Sequence, residues 1–366
     1  MSALFQPFTL KSVTLRNRIV VSPMCQYSAI EGVTQEWHRV HYASLARGGA
    51  ALVTVEGTSV SPEARISIGD AGLWSDEQAQ ALRPIVAAIK HAGAVPGIQL
   101  GHAGRKASAN RPWEGDDHMA KDDPRGWETL SASAIALGGS LPKVPRAMTL
   151  EDIAKAKADH VAAVIRARDV GFEWLELHFA HGYLAMGFLS KHSNQRTDEY
   201  GGSFENRARF MLETLTAVRE VWPQHLPLAV RLGVIEYDGQ DEEHLSESIE
   251  LAKQLKAIGV DLLDVSMGFS IATPDVPWGT PAFLAPIAQR FRREVGLPVT
   301  ASWGMGTPEL AEKAIAEGQL DLVSFGRAML DNPHWPLHAA RKLGVENPSW
   351  VLPAPYAHWL ERYSVA

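Results

Sequence analysis

The sequence predicts one (β/α)8 barrel formed by all 366 residues, and three observations lead to this prediction. Short runs of Val, Leu and Ile alternate with longer amphipathic segments almost from end to end, as in chains whose parallel strands alternate with helices. Eight such pairs favour a closed barrel over an open sheet. The length agrees, because one barrel takes up a size at which other folds divide into two or three domains.

The eight predicted strands are nearly continuous in apolar character, as expected of strands that are covered on both faces. They comprise residues 19–22, 51–56, 96–100, 174–178, 228–232, 262–266, 298–301 and 322–325. Amphipathic segments after them predict helices at residues 36–47, 76–92, 149–170, 203–221, 242–258, 281–294, 308–317 and 333–343. The third helix is introduced by a capping-box pattern, Thr149-Leu-Glu-Asp152, which predicts its first turn.

Two segments depart from this alternation. Residues 102–147 follow the third strand and are far longer than a usual connection of a few residues, so they form either a capping loop over the barrel mouth or a structured surface excursion. The tail at residues 349–366 carries Trp350, Tyr356 and Trp359, which is too aromatic for a frayed terminus. We therefore expect the tail to lie at a subunit interface of a homodimer or a larger homo-oligomer.

Charge and cysteine content exclude several classes of protein. Lys and Arg total 35 and Asp and Glu total 42, and the resulting formal net charge of −7 gives no reason to expect nucleic acid or an anionic membrane as partner. Cys25 is the single cysteine, so an intrachain disulfide is impossible and a reducing compartment fits. The N-terminus lacks a signal-peptide pattern and no stretch reaches about 18 consecutive apolar residues, so we expect a cytoplasmic protein.

Chemically active side chains occur at the predicted carboxyl ends of the strands, where barrels of this type form their active sites. Taken singly, each has a simple structural explanation. The pair His178 and His181 could be a zinc site, and Gln99 could be a buried polar group with its hydrogen bonds satisfied. Their joint placement at strand ends favours one functional site. The candidates are Ser22, Pro23, Met24, Cys25, Tyr27, Gly57, Gln99, His178, His181, Tyr183, Arg231, Trp303, Gly304, Gly326 and Arg327.

Glycines after the seventh and eighth strands predict a ligand that carries a phosphate. Gly304 and Gly326 allow backbone N–H groups to approach a phosphate, and Arg327 adds a guanidinium fork at loops where such barrels often bind one. The chain has no Walker A motif, and Gly304-Met-Gly306-Thr-Pro-Glu309 lacks the third glycine of a dinucleotide fingerprint. A mononucleotide cofactor therefore fits better than a resident dinucleotide, and no metal is expected.

Several ordered motifs cover essentially the whole chain. They are Leu15-Arg-Asn-Arg18 with Pro23-Met24, Gly101-His-Ala-Gly-Arg-Lys106, His178-Phe-Ala-His181-Gly-Tyr183, Asn194-Gln-Arg-Thr-Asp-Glu-Tyr-Gly-Gly-Ser203 with Asn206-Arg207, and Gly326-Arg327 with Asp331 and Pro333. In these motifs the chain resembles the Old Yellow Enzyme family of FMN-dependent ene-reductases. Cys25 and Tyr27 resemble its thermophilic-like branch, and Trp303 with Trp359 resemble the xenobiotic reductase A subgroup.

The resemblance implies a cofactor and its contacts. NADPH or NADH would deliver hydride to FMN and leave, and the substrate would then use the same pocket. Arg231 would stabilise the anionic reduced flavin, and Cys25 would tune its potential without forming a covalent bond. FMN would bind non-covalently through Ser22, Pro23, Met24, Cys25, Gly57, Gln99, Arg231, Trp303, Gly304, Gly326 and Arg327.

The resemblance also implies the reaction. Hydride transfer from flavin N5 would reduce the C=C bond of small activated alkenes such as enones and maleimides, with nitro compounds as further substrates. His178 and His181 would hold the substrate's carbonyl or nitro oxygen through two N–H donors, and Tyr183 would protonate the α-carbon. The remaining substrate contacts would come from Tyr27, Trp303 and Trp359, the last of which would enter the pocket of a partner subunit.

Other interpretations of the histidine pair fit the sequence less well. A metal-dependent barrel hydrolase typically needs His-x-His after strand one and Asp after strand eight, where this chain has Pro23-Met-Cys25 and Gly326-Arg327. A flavin reductase with an iron–sulfur cluster needs more than one cysteine. A catalytically idle flavin-binding or phosphate-binding module is the third alternative, and the ordered His178, His181 and Tyr183 weigh against it.

Overall fold

Eight buried apolar strands lie side by side in chain order and close into a barrel in a computed structural model, which describes residues 2–363. The strands are β1 Ile19–Val21, β2 Leu52–Ser59, β3 Val95–Gly101, β4 Trp174–Phe179, β5 Leu228–Ile235, β6 Leu262–Met267, β7 Val299–Ala301 and β8 Leu322–Phe325. All neighbours pair in parallel, and β8 closes the ring against β1 with Val323 opposite Ile19. The predicted (β/α)8 fold, known as a TIM barrel, is confirmed.

An α-helix follows each strand of the barrel. Thr149 caps α3 by accepting a hydrogen bond from the backbone N–H of Asp152, as its capping-box pattern predicts. Helix α6 begins four residues after its predicted start, because Ala282 adopts a left-handed φ of 54° that a right-handed helix does not contain. The helices are α1 Glu36–Arg47, α2 Asp76–His91, α3 Leu150–Val170, α4 Phe204–Val221, α5 Asp241–Ile258, α6 Ala285–Val295, α7 Pro308–Ala316 and α8 Trp335–Lys342.

A short antiparallel hairpin, which the sequence does not predict, precedes the barrel. Its strands are Phe8–Leu10 and Val13–Leu15. Val13 and Leu15 are buried in one apolar cluster with residues near the starts of barrel strands, among them Leu52, Trp174, Ala229, Leu262 and Leu322. Side chains therefore fill the amino end of the barrel, and a ligand site is left to the end at which the strands finish.

The long segment between β3 and α3 contains short elements of its own. These are the 3-10 turns Gly104–Lys106 and Pro112–Glu114 and the paired strands Leu130–Ser131 and Arg146–Ala147. The segment reaches the end of β1, because the Trp113 ring lies edge-on to Tyr27 at 5.9 Å between centroids and Arg111 Nε donates to the Tyr27 carbonyl at 3.0 Å. A capping role for residues 102–147 agrees with these contacts and stays a prediction.

The C-terminal tail forms a 3-10 turn at Pro348–Val351 and a short helix at Ala354–Leu360. Trp359 on this helix is 76% exposed, so few residues of its own chain pack against its ring. Residues 364–366 of the predicted tail lie outside the described residues, and the predicted subunit interface stays a prediction. Within residues 2–363, no helix combines the length and the apolar character that crossing a membrane requires.

Candidate active site

A cavity of about 510 Å³ opens at the carboxyl ends of β1, β4, β5, β7 and β8. Its volume lies within the ~300–1,000 Å³ usual for small-molecule sites. Sequence-predicted residues that line it are Ser22, Pro23, Met24, His181, Arg231, Trp303, Gly304, Gly326 and Arg327. A smaller adjoining cavity is lined by Gly57, His178 and Tyr183. The structure thus brings most of the predicted positions to one end of the barrel.

The remaining predicted residues line neither cavity. Gln99 and Cys25 lie directly behind Gly57, since a Cβ built on this glycine would be 3.2 Å from Gln99 Oε1 and 3.6 Å from Cys25 Sγ. Tyr27 is half-buried between these residues and the long segment after β3. Trp359 is not among the residues that line the two cavities, and its predicted contact in a partner's pocket is untested.

The two histidines and Tyr183 form a compact aromatic group after β4. The rings of His178 and His181 are 4.9 Å apart between centroids, and those of His178 and Tyr183 are 5.0 Å apart and perpendicular. Gly182 makes this turn possible, because it has a φ of +65° and a Cβ there would lie 2.3 Å from the Phe269 carbonyl oxygen. Glycine therefore allows the tight turn that brings His181 and Tyr183 beside His178 at the end of β4.

Both histidines are held in the neutral form. Burial lowers the pKa of His178 and of His181 well below the usual value, and the nearby positive charge of Arg231 lowers each further. His181 Nε2 lies 2.8 Å from Ser266 Oγ on β6. If the Ser266 hydroxyl donates this bond, the single proton of His181 is on Nδ1, which becomes an N–H donor. His178 Nδ1 is buried and has no hydrogen-bond partner among the described residues.

Burial also keeps the phenols and the thiol of the site protonated. Burial raises the pKa of Tyr183, of Tyr27 and of the Cys25 thiol above their ordinary values, and the Asp70 carboxylate adds to the rise in each. Lys106 Nζ lies 5.8 Å from the centroid of the Tyr183 ring. Its own pKa is lowered to about 8, chiefly by burial. Tyr183 therefore keeps its phenolic proton and has a titratable cation beside it.

A buried polar layer lies beneath the cavity. Arg231 Nε is 3.3 Å from Asp264 Oδ2 in an ion pair, and Arg231 Nη2 donates to Ser302 Oγ at 3.1 Å. Gln99 Nε2 donates to Glu176 Oε1 at 2.7 Å. Burial raises the pKa of both carboxyls, of Asp264 and Glu176, while the charge of Arg231 opposes that rise. Arg231 is thus held by Asp264 and Ser302 at the floor of the cavity that it lines.

The far end of the cavity suits a phosphate. Gly304, Gly306 and Gly326 line it, and helix α7 begins at Pro308, so the positive end of the helix dipole is close by. Arg327 also lines this end and makes no ion pair within residues 2–363. An unpaired guanidinium beside glycine backbone fits the phosphate of FMN, and the buried atoms His178 Nδ1 and Trp303 Nε1, which have no hydrogen-bond partner among the described residues, are available to the rest of a polar ligand.

An aromatic wall borders the cavity after β6 and β7, and the sequence analysis identified only part of it. Trp303 lies 5.2 Å from Trp278 and 6.3 Å from Phe269 between ring centroids, and Phe269 lies 5.7 Å from His181. The strand-end rule also points to Ser266 and the Phe269 loop after β6, but neither stands out by residue type, and Lys106 appears only within the Gly101–Lys106 motif. No pattern in the sequence places Trp278 at the site.

Comparisons with known proteins agree with this geometry. Residues 3–346 match the model of the NADH:flavin oxidoreductase / NADH oxidase family. An NADPH dehydrogenase from Geobacillus thermodenitrificans (strain NG80-2) is 41% identical over 348 residues, which are 94% of this chain and 96% of the relative. A solved morphinone reductase superposes with a TM-score of 0.80 at 27% identity, covering 94% of this chain and 90% of that one.

A longer protein shares the same fold. A solved 2-naphthoyl-CoA reductase matches with a TM-score of 0.83 at 25% identity, and the match covers 96% of this chain. It covers 53% of the reductase, so this chain spans about half of that protein's length.

Proposed function

This chain belongs to the Old Yellow Enzyme family of FMN-dependent NADPH oxidoreductases, and we propose that it reduces the C=C bond of small activated alkenes. One observation carries the proposal. Two neutral histidines and a protonated Tyr183 lie together beside the cavity, with their ring centroids 4.9, 5.0 and 6.2 Å apart. Electron withdrawal from a substrate oxygen and protonation of its α-carbon require these two kinds of group.

The chain's residues would hold FMN along the 510 Å³ cavity. Arg327 and the glycine backbone after β7 and β8 would bind its phosphate, and Arg231 would lie beside the ring that becomes anionic on reduction. When bound, FMN supplies the hydride that NAD(P)H has delivered to it. Gln99, through its side-chain carbonyl oxygen, and Cys25, through an uncharged thiol, would also contact the ring from behind Gly57.

His178 and His181 would bind the substrate's carbonyl or nitro oxygen. Because both imidazoles are neutral, each carries one N–H, and a hydrogen bond donated by Ser266 to Nε2 would leave that of His181 on Nδ1. Ser266 is thus a positioning residue. Donation to the oxygen withdraws electron density from the alkene, which makes its β-carbon electrophilic. Maleimides and enones present such an oxygen, and nitro compounds present an equivalent one.

Tyr183 Oη would then pass its proton to the α-carbon. Its raised pKa keeps the proton on the phenol until hydride addition at the β-carbon would make the α-carbon basic. Tyr27 would add a further hydrogen bond to the substrate, and Trp303 would shape the apolar side of the pocket.

The test separates the two half-reactions in stopped-flow experiments on the FMN-loaded enzyme. In Tyr183→Phe, reduction by NADPH should keep its rate, while reoxidation by 2-cyclohexenone should slow by about 100-fold or more, the usual contribution of a general acid. Tyr363→Phe changes an exposed phenol in the same way and should alter neither rate. Equal losses in both half-reactions of Tyr183→Phe would contradict the role of proton donor.

A double variant tests the histidines. With His178 and His181 both replaced by Ala, 2-cyclohexenone should no longer bind or turn over, whereas the FMN content should be retained because the phosphate end is untouched. Unchanged binding of the enone by this variant would rule out the assignment. A protein that takes up no FMN would contradict the proposal as a whole.

A further inference from the structure

Three metal-ligating side chains meet outside the cavity. His192 lies in the loop after the short helix Leu184–Leu189, Asp238 follows β5, and His244 lies in the first turn of α5. His192 Nε2 is 2.6 Å and His244 Nε2 is 2.9 Å from Asp238 Oδ2. One ligand atom from each residue lies within 4.8 Å of the other two. None of the three lines the cavity of the reductase site.

We propose that His192, Asp238 and His244 bind one divalent transition-metal ion, with Zn²⁺ preferred. Two imidazole nitrogens and a carboxylate oxygen are a ligand set that zinc accepts, and water completes its four positions. Metal–ligand bonds of ~2.0–2.2 Å in a tetrahedron place ligand atoms about 3.3 Å apart. The distances from Asp238 Oδ2 to the two histidine nitrogens are shorter than this by about half an ångström. Small side-chain rotations would open the group by that amount.

The burial of the three groups suits a bound ion. The Asp238 side chain is 5% exposed and that of His244 is 14% exposed, whereas that of His192 is 32% exposed and leaves one open side for entry of metal and water. Lys191 immediately precedes His192 in the sequence and is the cationic side chain next to the group along the chain. Its ammonium pairs with Glu243 and lies 3.5 Å from Glu247, so its charge is compensated by two carboxylates.

The position of the site suggests a structural role. The metal would fasten the loop that begins at Ser190 to the end of β5 and the start of α5. The loop follows the helix that Tyr183 introduces, and β5 carries Arg231. Zinc would therefore stabilise the frame behind two residues of the reductase site without touching substrate or cofactor. The proposal does not depend on the proposed alkene reduction.

The experiment uses the FMN-loaded protein after treatment with a chelator. Titration with ZnCl₂ in a calorimeter should give one saturable site per chain, and Zn²⁺ should raise the melting temperature. His244→Gln and Asp238→Asn should each weaken Zn²⁺ binding at least tenfold and abolish the shift in melting temperature. His91→Gln, an exposed histidine at the end of α2, should behave like the wild type. Mg²⁺, which prefers oxygen ligands, should not compete.

The alternative is a group of hydrogen bonds that needs no metal, with Asp238 accepting from both imidazoles. In that case both substitutions would lower the melting temperature in chelator, but Zn²⁺ would neither bind saturably to the wild type nor stabilise it. That result would overturn the proposal, as would Zn²⁺ binding that survives in both variants. Bound FMN, followed by its visible absorbance, checks that each variant is folded.

Discussion

Replacing Gly304 by Ala isolates the contribution of one loop conformation to FMN binding. Gly304 has a φ of +67°, and a Cβ there would lie 2.7 Å from the backbone nitrogen of Ala282. The left-handed conformation costs an L-residue about 1–2 kcal/mol. The contact with Ala282 adds to this cost, since a backbone atom cannot rotate away as a side chain can.

The cost should appear in binding and only weakly in folding. Gly304 is exposed at the cavity rim, so without FMN the loop can relax away from the strained conformation. To hold the phosphate, the loop must return to the strained, left-handed conformation at residue 304. We expect the affinity for FMN to fall by about 5- to 30-fold from the conformational cost alone, because 1.4 kcal/mol corresponds to about tenfold. Quenching of FMN fluorescence during titration of the deflavinated protein measures this change.

Gly306 provides the matched control in the same loop. It also lines the cavity, but a Cβ there meets no heavy atom of the described chain within 4 Å and its φ is not left-handed. Gly306→Ala should therefore bind FMN nearly as tightly as the wild type. The reasoning would be refuted if Gly304→Ala kept full affinity, or if both variants lost affinity equally.

Two further predictions concern the surroundings of the site. The pKa of Lys106 is lowered to about 8, so its ammonium is charged below that pH and neutral above it. The charge favours the phenolate that forms as Tyr183 donates its proton, so flavin reoxidation by an enone should slow as the pH rises through about 8. Lys106→Met should be slower at low pH and lack this step, which a stopped-flow pH profile would detect. Trp359→Ala removes a ring that is 76% exposed, so the melting temperature and FMN content should not change. If the ring enters a partner's pocket, KM for 2-cyclohexenone should rise, and an unchanged KM argues against that contact.

The barrel could be predicted because each strand and each helix has its own recognisable sequence pattern, and the pair of patterns repeats eight times. Each strand is a short apolar run, and each helix has an amphipathic pattern long enough to recognise. The hairpin Phe8–Leu10 with Val13–Leu15 has strands of three residues, too short for any period to show. The helices Leu184–Leu189 and Arg327–Asp331 are also too short, and their placement depends on tertiary packing.

The candidate site was predictable wherever a strand end carries a chemically distinctive residue. The bond between His181 and Ser266 spans 85 residues, and serine at a strand end is too common to stand out. Trp278 joins the aromatic wall from a loop after β6, a placement that no periodic pattern specifies. Contacts such as His181 with Ser266 and Trp278 with Trp303 form only when the barrel closes and brings distant segments together. The spacing of residues along the sequence does not specify them.

The surroundings of the chain's two histidine groups decide what each can do. His178 and His181 have the hydroxyl of Ser266 and the positive charges of Arg231 and Lys106 near them. These charges would repel a cation, which supports the proposed role of the pair as neutral N–H donors. His192 and His244 instead share the carboxylate of Asp238, which attracts a cation and can ligate it. Residue type alone allows a zinc site at His178 and His181, and it is the charge beside each imidazole that leads us to propose a substrate oxygen as partner of the first pair and a metal as partner of the second.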